Sequence, residues 1–128
     1  MMTQPTILVA DDEPHIVNAI ALKLRHAGYR VLTARDGQQA LQAALVDQPD
    51  LLIADYHMPL LSGLELCQRL RQANAAIPTI MLTARGYTVD LCDAPASGIL
   101  RTIAKPFSPR QLLASVEEVL GEAAVAFR

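Results

Sequence analysis

The residues best suited to chemistry follow short apolar segments of the sequence. The acidic run Asp11-Asp12-Glu13 follows the first segment, and Asp55 closes the third, Leu51-Leu52-Ile53-Ala54. Thr83 and Lys105 come directly after two later segments. Clustered carboxylates are costly unless a cation neutralises them, and oxygen ligands without a His or Cys pattern favour Mg²⁺. An aspartate can also attack phosphorus, with a lysine and a hydroxyl stabilising the phosphoryl oxygens.

Each of these residues also has a simpler explanation. Aspartates often end strands as turn formers, so Asp55 alone does not define a site. The combination is more informative, because the carboxyl ends of parallel strands meet at one edge of a sheet, where ligands bind. We therefore interpret the acidic run, the aspartate, the threonine and the lysine as parts of one site.

The apolar segments themselves predict the elements that position this site. They begin near five positions, Ile7, Arg30, Leu51, Ile77 and Ile99. Each spacing of a little over twenty residues leaves room for one helix and two loops, which predicts five strand–helix units and a parallel sheet. The segment before Asp55 is continuously apolar and is stopped by Pro59, as expected of a central strand buried on both faces.

Capping residues and apolar stripes set the expected helix boundaries. The first helix is predicted over 13–27, since Pro14 suits a first turn and Gly28 ends the apolar stripe. Asp36 can cap the second helix. Its expected inward-facing residues are Ala40, Leu41, Ala44 and Leu45.

Two further helices are predicted from the same signals. Ser62 and Glu65 have the spacing of a capping box and predict a helix over 63–71. Ser108 and Pro109 supply an N-cap and a first-turn proline for the last helix. Its expected core residues are Leu112, Leu113, Val116, Val119 and Leu120.

The segment 85–98 gives the weakest helix signal. Leu91 could anchor a helix there, but Pro95 removes a backbone hydrogen bond and the flanking glycines disfavour helix. We expect a short or irregular helix.

Length and composition restrict the function classes. A chain of 128 residues suits one domain, and no apolar stretch approaches the ~20 residues of a membrane span. Because no basic region followed by an apolar one begins the chain, we expect a soluble, cytoplasmic protein without membrane contact. A net charge of −2 without a basic run argues against direct nucleic-acid binding. Cys67 and Cys92 lack metal-ligand spacing and are interpreted as reduced packing residues.

Together the motifs resemble the receiver domain of two-component response regulators. The resemblance covers residues 6–120, nearly the whole chain, and each motif falls at the end of a predicted strand. The motifs are Asp11-Asp12-Glu13, Asp55-x-x-Met58-Pro59-x-x-x-Gly63, Thr83-Ala84 and Lys105-Pro106-Phe107.

The resemblance implies a fold and a function. The fold would be α/β and flavodoxin-like, a doubly wound, five-stranded parallel sheet of order 2-1-3-4-5 flanked by five helices, filling 1–128 with its core over 6–120. Asp55 matches the phosphoacceptor, which takes a phosphoryl group from the phosphohistidine of a histidine kinase or phosphotransfer protein. Such a domain is a signalling switch, not an enzyme, and catalyses only its own phosphorylation and dephosphorylation. It would act on an output domain or a downstream protein, with phosphorylation-dependent dimerisation as one route.

The resemblance also implies a set of Mg²⁺ ligands. Asp12 and Asp55 would bind the ion directly and Asp11 mostly through water. The backbone carbonyl of His57 would complete the protein ligands.

Two further matches concern the phosphoryl group. Thr83 and Lys105 match the residues that contact its oxygens. The Lys105–Pro106 peptide bond is expected to be cis, an uncommon geometry.

One position departs from the family pattern. Receivers commonly carry Tyr or Phe three residues before the lysine, and Thr102 stands there instead. Strand alternation groups Thr102 with Leu100 and Ala104, so the pattern does not mark it as a surface residue. We hypothesise that phosphorylation still moves Thr83, and that the signal is read through reordering of residues 85–98 instead of an aromatic side chain.

Several other residues near the site can be explained by packing or solvent exposure instead of a direct role in the chemistry. His15 is interpreted as a solvated first-turn residue, and His57 as a residue that borders the pocket and affects the lifetime of the phosphate. Arg85 and Tyr87 fit a loop surface better than the pocket rim. Phe107 is interpreted as a packing residue that holds the lysine loop.

Two other function classes share parts of this pattern. A phosphohydrolase of the haloacid dehalogenase type would want a second carboxylate two residues after the nucleophile, where His57 stands. A flavin-binding electron carrier would need backbone donors and hydroxyls in the first loop, and the acidic run there would repel the flavin phosphate. Both classes are therefore disfavoured.

Overall fold

The structure, a computed structural model, describes residues 4–84 and 98–126. Its strands are β1 (Thr6–Ala10), β2 (Arg30–Ala34), β3 (Leu51–Asp55), β4 (Thr79–Thr83) and β5 (Ile99–Ala104). Its helices are α1 (Pro14–His26), α2 (Gly37–Asp47), α3 (Gly63–Gln72) and α4 (Pro109–Ala126). No helix within these ranges is long and apolar enough to cross a membrane.

The five strands form one parallel sheet in the order β2-β1-β3-β4-β5. This order confirms the flavodoxin-like, doubly wound fold that the resemblance implies. All five residues of β3 are buried, as its apolar sequence requires. The central strand therefore carries Asp55 to the carboxyl edge of the sheet.

Alternate residues of the strands feed two cores, one on each face of the sheet. Ile7 and Val9 of β1 pack with α1 and α4, whereas Leu8 and Ala10 pack with α2 and α3. The last helix contributes three buried residues, Leu112, Val116 and Val119, and two partly buried ones, Leu113 and Leu120. Helices on both faces thus bury the sheet and leave its carboxyl edge to carry polar groups.

The predicted caps are present at three helix starts. The Asp36 carboxylate accepts a hydrogen bond from the Gln39 amide at 2.8 Å and opens α2. Ser62 and Glu65 form a reciprocal capping box, with bonds of 3.1 and 3.0 Å, and open α3. The Ser108 hydroxyl accepts from the backbone amide three residues later at 3.0 Å, one residue before α4 begins.

Two sequence predictions need correction or restriction. Leu45 was expected to face inward, but 43 % of it is exposed, because α2 packs through its small residues Gly37, Ala40 and Ala44. The described ranges contain four helices where five were expected. The remaining helix was predicted within 85–98, and residues 85–97 lie outside the described part of the chain.

Of the two cysteines, only Cys67 lies within the described residues. Cys67 is buried on α3, and burial raises the pKa of its thiol to about 11, as expected of a reduced packing residue. Cys92 lies outside the described residues.

Gly63 is required where α3 passes the end of β3. A Cβ atom there would lie 2.5 Å from Met81 Sδ and 2.6 Å from the Asp55 carbonyl oxygen. Since the backbone oxygen cannot easily yield, Gly63→Ala should lower the free energy of unfolding by about 1–3 kcal/mol. The control is Gly121→Ala on α4, where a Cβ would meet no atom of the described residues within 4 Å. Helix propensity predicts that this control gains about 0.5–1 kcal/mol. Urea unfolding measures both, and equal effects would contradict the close approach.

Candidate functional site

The carboxyl edge of the sheet brings together the carboxylates that the sequence placed at strand ends. Asp55 ends β3, and Asp11 directly follows β1, the neighbouring strand. Only 6 % of Asp55 and 1 % of Asp11 is exposed, so both carboxylates are largely withdrawn from water. Burial of ionised carboxylates is tolerated only where charge partners or hydrogen bonds compensate it.

Lys105, which follows β5, supplies the compensating positive charge. Its Nζ atom lies 2.9 Å from Asp11 Oδ2, 3.1 Å from Asp55 Oδ2 and 3.5 Å from Glu13 Oε1. One ammonium group therefore contacts three carboxylates. The site carries excess negative charge, as the sequence predicted.

Backbone amides orient the two buried carboxylates. The amide of His57 donates to Asp55 Oδ1 at 3.3 Å, and the amide of Glu13 donates to Asp11 Oδ1 at 3.0 Å. Each carboxylate thus has one oxygen held by the chain and one oxygen turned towards Lys105. The backbone therefore fixes the orientation of the Asp55 carboxylate.

The arrangement fits a hard divalent cation. One carboxylate oxygen from each of Asp11, Asp12, Glu13 and Asp55 lies within 4.8 Å of the others. Among the described residues, the buried Asp11 Oδ2 accepts no hydrogen bond of normal geometry, and its contact with Lys105 is an ion pair. All-oxygen donors, with exposed Asp12 and Glu13 on the solvent side, match the preference of Mg²⁺ for carboxylates and retained waters.

The pKa values of the site reflect burial and crowding. Burial and the nearby charge of Asp11 raise the pKa of the Asp55 carboxyl above its ordinary value, against the opposing effects of Lys105 and the His57 amide. Burial lowers the pKa of the Lys105 ammonium, but its contacts with Asp11 and Asp55 outweigh burial and raise it. Lys105 therefore stays charged, whereas ionised Asp55 is a cost to the folded state.

Thr83 and Pro106 complete the edge. Thr83 ends β4, only 4 % of it is exposed, and its carbonyl accepts the Lys105 amide at 2.7 Å. The Lys105–Pro106 bond is cis, which confirms the prediction. The end of β4 is therefore tied directly to the residue that carries the ammonium group.

The remaining residues named from the sequence lie around the site. His15 Nε2 is 3.4 Å from Glu13 Oε2 and the side chain is 77 % exposed, whereas Phe107 packs against the core beside α1 and α4. His57 is exposed, with its ring edge on to that of Tyr56, and lines a depression that also includes Asp12. The predictions for Arg85 and Tyr87 fall outside the described residues.

Thr102 is exposed on β5, although strand alternation did not mark it as a surface residue. The register of β5 against β4 shifts at Leu100, because Thr79 pairs with Ile99 and Ile80 pairs with Arg101. β5 is also an edge strand. The position where the family pattern has a ring is thus a small, solvent-facing side chain.

The sequence placed Glu13 in the acidic run at the site but named no contact for it, and the structure adds its carboxylate to the cluster around Lys105. Its backbone caps α1, which puts its side chain beside Lys105.

Removing the charge of Asp55 should change the stability of the metal-free domain measurably. Because the fold raises the pKa of Asp55, the stability associated with its protonated form is lost as pH rises from about 4 through the raised pKa. Asp55→Asn has no carboxylate to ionise at this position. At about pH 7 its free energy of unfolding should therefore be roughly 1 kcal/mol higher than that of the wild type. The difference should vanish near pH 3. Urea unfolding in chelator tests this, and a variant less stable than wild type at pH 7 would contradict it.

Comparison with known proteins agrees with this geometry. The family model described as response regulator receiver domain matches residues 7–117. The chain therefore belongs to the receiver domains of two-component response regulators, which are signalling domains, not classical enzymes.

Particular relatives share the sequence at moderate identity. The chain is 40 % identical over 94 % of its length to the alkaline phosphatase synthesis transcriptional regulatory protein PhoP of Bacillus subtilis, covering 50 % of that protein. It is 43 % identical over 93 % of its length to the phosphate regulon transcriptional regulatory protein PhoB of Pseudomonas aeruginosa, covering 53 % of it. The chain thus spans about half the length of these curated relatives.

Solved structures show the same fold. The receiver domain of the Francisella response regulator 1452 matches with a TM-score of 0.84 at 32 % identity, over 94 % of this chain and 99 % of that one. The Vibrio cholerae chemotaxis protein CheY4 matches with a TM-score of 0.82 at 30 % identity, over 91 % and 99 %.

Proposed function

We propose that this domain accepts a phosphoryl group on Asp55, with Mg²⁺ bound beside it, and thereby changes its affinity for a partner or an attached effector. The observation that carries the proposal is the buried Asp55 carboxylate, held by a backbone amide and contacted at 3.1 Å by the Lys105 ammonium. A carboxylate so positioned can act as a nucleophile, and the lysine ammonium can stabilise the negative charge of the phosphoryl oxygens.

The Mg²⁺ site is proposed from the same residues. Asp11, Asp12 and Asp55, with the backbone carbonyl of His57, would hold the ion. When bound there, Mg²⁺ supplies positive charge that offsets the charge of the phosphoryl oxygens. This role matters because Lys105 alone faces three carboxylates before any phosphate arrives.

The chain's own residues perform the transfer. An Asp55 oxygen forms a bond to phosphorus as the bond from phosphorus to the donor atom breaks, and that bonding pair leaves with the donor. The His57 amide keeps the other Asp55 oxygen oriented. The Lys105 ammonium stabilises the charge that builds up on the transferred group, and the Thr83 hydroxyl donates to one of its oxygens.

The same proposal covers the switch. Thr83 would move towards the phosphate, and residues 85–98 would reorder in response. Thr102 exposes a small side chain at the position of the usual ring, so it offers little apolar area for a burial-driven readout. Hydrogen exchange with and without beryllofluoride should then show new protection over 85–98.

The wider partners are proposed from the relatives. A histidine kinase or phosphotransfer protein would supply the phosphoryl group, in the cytoplasm that is usual for the family. Several relatives are named as transcriptional regulators twice as long as this chain, which favours control of an output domain or downstream protein, with phosphorylation-dependent dimerisation as one mode. With a net charge of −2, this domain itself is not expected to bind nucleic acid.

Metal binding gives a test that does not need phosphate. Mg²⁺ that binds only the folded state should raise the melting temperature of the wild type, by RT ln(1 + [Mg²⁺]/Kd) in free energy. Asp12→Ala should lose most of this shift, while Asp47→Ala, an exposed change on α2, should keep it. Thermal melts in chelator and in Mg²⁺ measure all three. Equal shifts in wild type and Asp12→Ala would mean that the metal site is misassigned.

A further inference from the structure

An apolar groove borders the acceptor site. It has a volume of about 500 Å³ and lies between α1 and the segment that follows β5. Ile16 and Ala19 line it from α1, and Phe107 and Pro109 line it from the other side. This volume lies within the range of small-molecule sites, which run from about 300 to 1,000 Å³ and are mostly apolar.

The groove and the carboxylate cluster share residues. Glu13 and Lys105 line the groove, and Lys105 Nζ also lies 3.1 Å from Asp55 Oδ2. A small molecule with its phosphoryl group at Asp55 and its organic part beside Phe107 would therefore occupy two adjoining parts of one depression. The apolar walls select an uncharged organic group, and the Glu13 carboxylate would repel an anionic one.

We propose that this groove binds the organic group of small phosphodonors, so that the domain prefers acyl phosphates with an aromatic or other apolar acyl group. The inference rests on the proposed function of Asp55. In the reaction, an Asp55 carboxylate oxygen forms a bond to phosphorus. The bond from phosphorus to the acyl oxygen breaks, and its electron pair leaves on the carboxylate product. No proton or further reactant is needed.

Benzoyl phosphate and acetyl phosphate differ only in the group that would enter the groove. Contact of the ring with the apolar walls should give benzoyl phosphate a labelling rate about tenfold or more above that of acetyl phosphate, the scale of discrimination in apolar pockets. Ala19→Trp, which fills the groove from an exposed position on α1, should remove most of that preference. Leu22→Trp is the matched control, since Leu22 is 58 % exposed on the same helix and does not line the groove. It should keep the wild-type ratio.

A binding measurement makes the test independent of transfer. Benzylphosphonate, which cannot transfer its phosphorus, should shift the backbone amide resonances of Ile16, Ala19 and Phe107 in wild type, and methylphosphonate should not. The Ile16 and Phe107 resonances should respond weakly in Ala19→Trp.

The outcomes separate this inference from the proposed function. Suppose that acetyl phosphate labels the protein, but the ratio of the benzoyl phosphate rate to the acetyl phosphate rate is the same in wild type and Ala19→Trp. The groove proposal is then overturned, and the acceptor role of Asp55 stands. If benzylphosphonate shifts no amide resonance in the groove, the groove proposal is likewise overturned. The apolar groove would then be better explained as a contact surface for a protein partner. If neither donor labels the protein in Mg²⁺, both proposals fail together.

Discussion

Asp55→Asn should reduce phosphate incorporation from acetyl phosphate to background, a loss of roughly 10³-fold or more, as expected when a nucleophile is removed. Asparagine keeps the shape of the side chain and its amide oxygen can still accept the His57 amide, so the fold should remain. It carries no charge and is a far weaker nucleophile towards phosphorus than a carboxylate. Intact-mass measurement after incubation with the donor and Mg²⁺ follows the gain of one phosphoryl group.

The matched control for this variant is Asp47→Asn. Asp47 is exposed at the end of α2, so its replacement changes the same charge without touching the site. It should label at the wild-type rate. Wild-type labelling of Asp55→Asn would show that another residue accepts the phosphoryl group.

Lys105→Ala should lower the free energy of unfolding of the metal-free domain by about 3 kcal/mol, the largest loss expected among the substitutions proposed for this domain. The substitution leaves Asp11 and Asp55 buried without their cation, and breaking a buried ion pair from one side costs more than the pair contributes. The Lys105 side chain is still 18 % exposed, which places the effect at the low end of that range. Urea unfolding in chelator measures it.

Lys23 on α1 is the chain's other lysine and supplies the control. Because Lys23 is partly exposed to solvent, Lys23→Ala should cost less than about 1 kcal/mol. Adding Mg²⁺ should recover part of the loss in Lys105→Ala, because a bound cation would neutralise the same carboxylates. A loss in Lys105→Ala no larger than in Lys23→Ala would contradict the assigned role of the ammonium group.

The fold follows from local signals that the sequence states strongly. Continuous apolar segments such as Leu51–Ala54 can only be strands buried on both faces once helices separate them. Asp36, Ser62 and Ser108 define helix starts because few alternatives satisfy the first helical amides. The strand order itself was implied by the resemblance, since local patterns do not specify which strands are neighbours.

Tertiary geometry decided what the sequence could not. Leu45 fits an apolar stripe, yet α2 approaches the sheet through glycine and alanine, which leaves this leucine outside. The shift of register at Leu100 and the edge position of β5 expose Thr102. The distances from Lys105 to the carboxylates depend on two loops whose paths no local pattern encodes.

Locating the phosphoryl group is the most direct test of the central claim. Wild-type protein labelled in Mg²⁺ can be reduced with borohydride, which converts an acyl phosphate to an alcohol, and then digested and sequenced by mass spectrometry. We expect the modification on Asp55 alone, and none when a chelator replaces Mg²⁺. A modification on Asp11, Asp12 or any other residue, or equal labelling in excess chelator, would contradict the account.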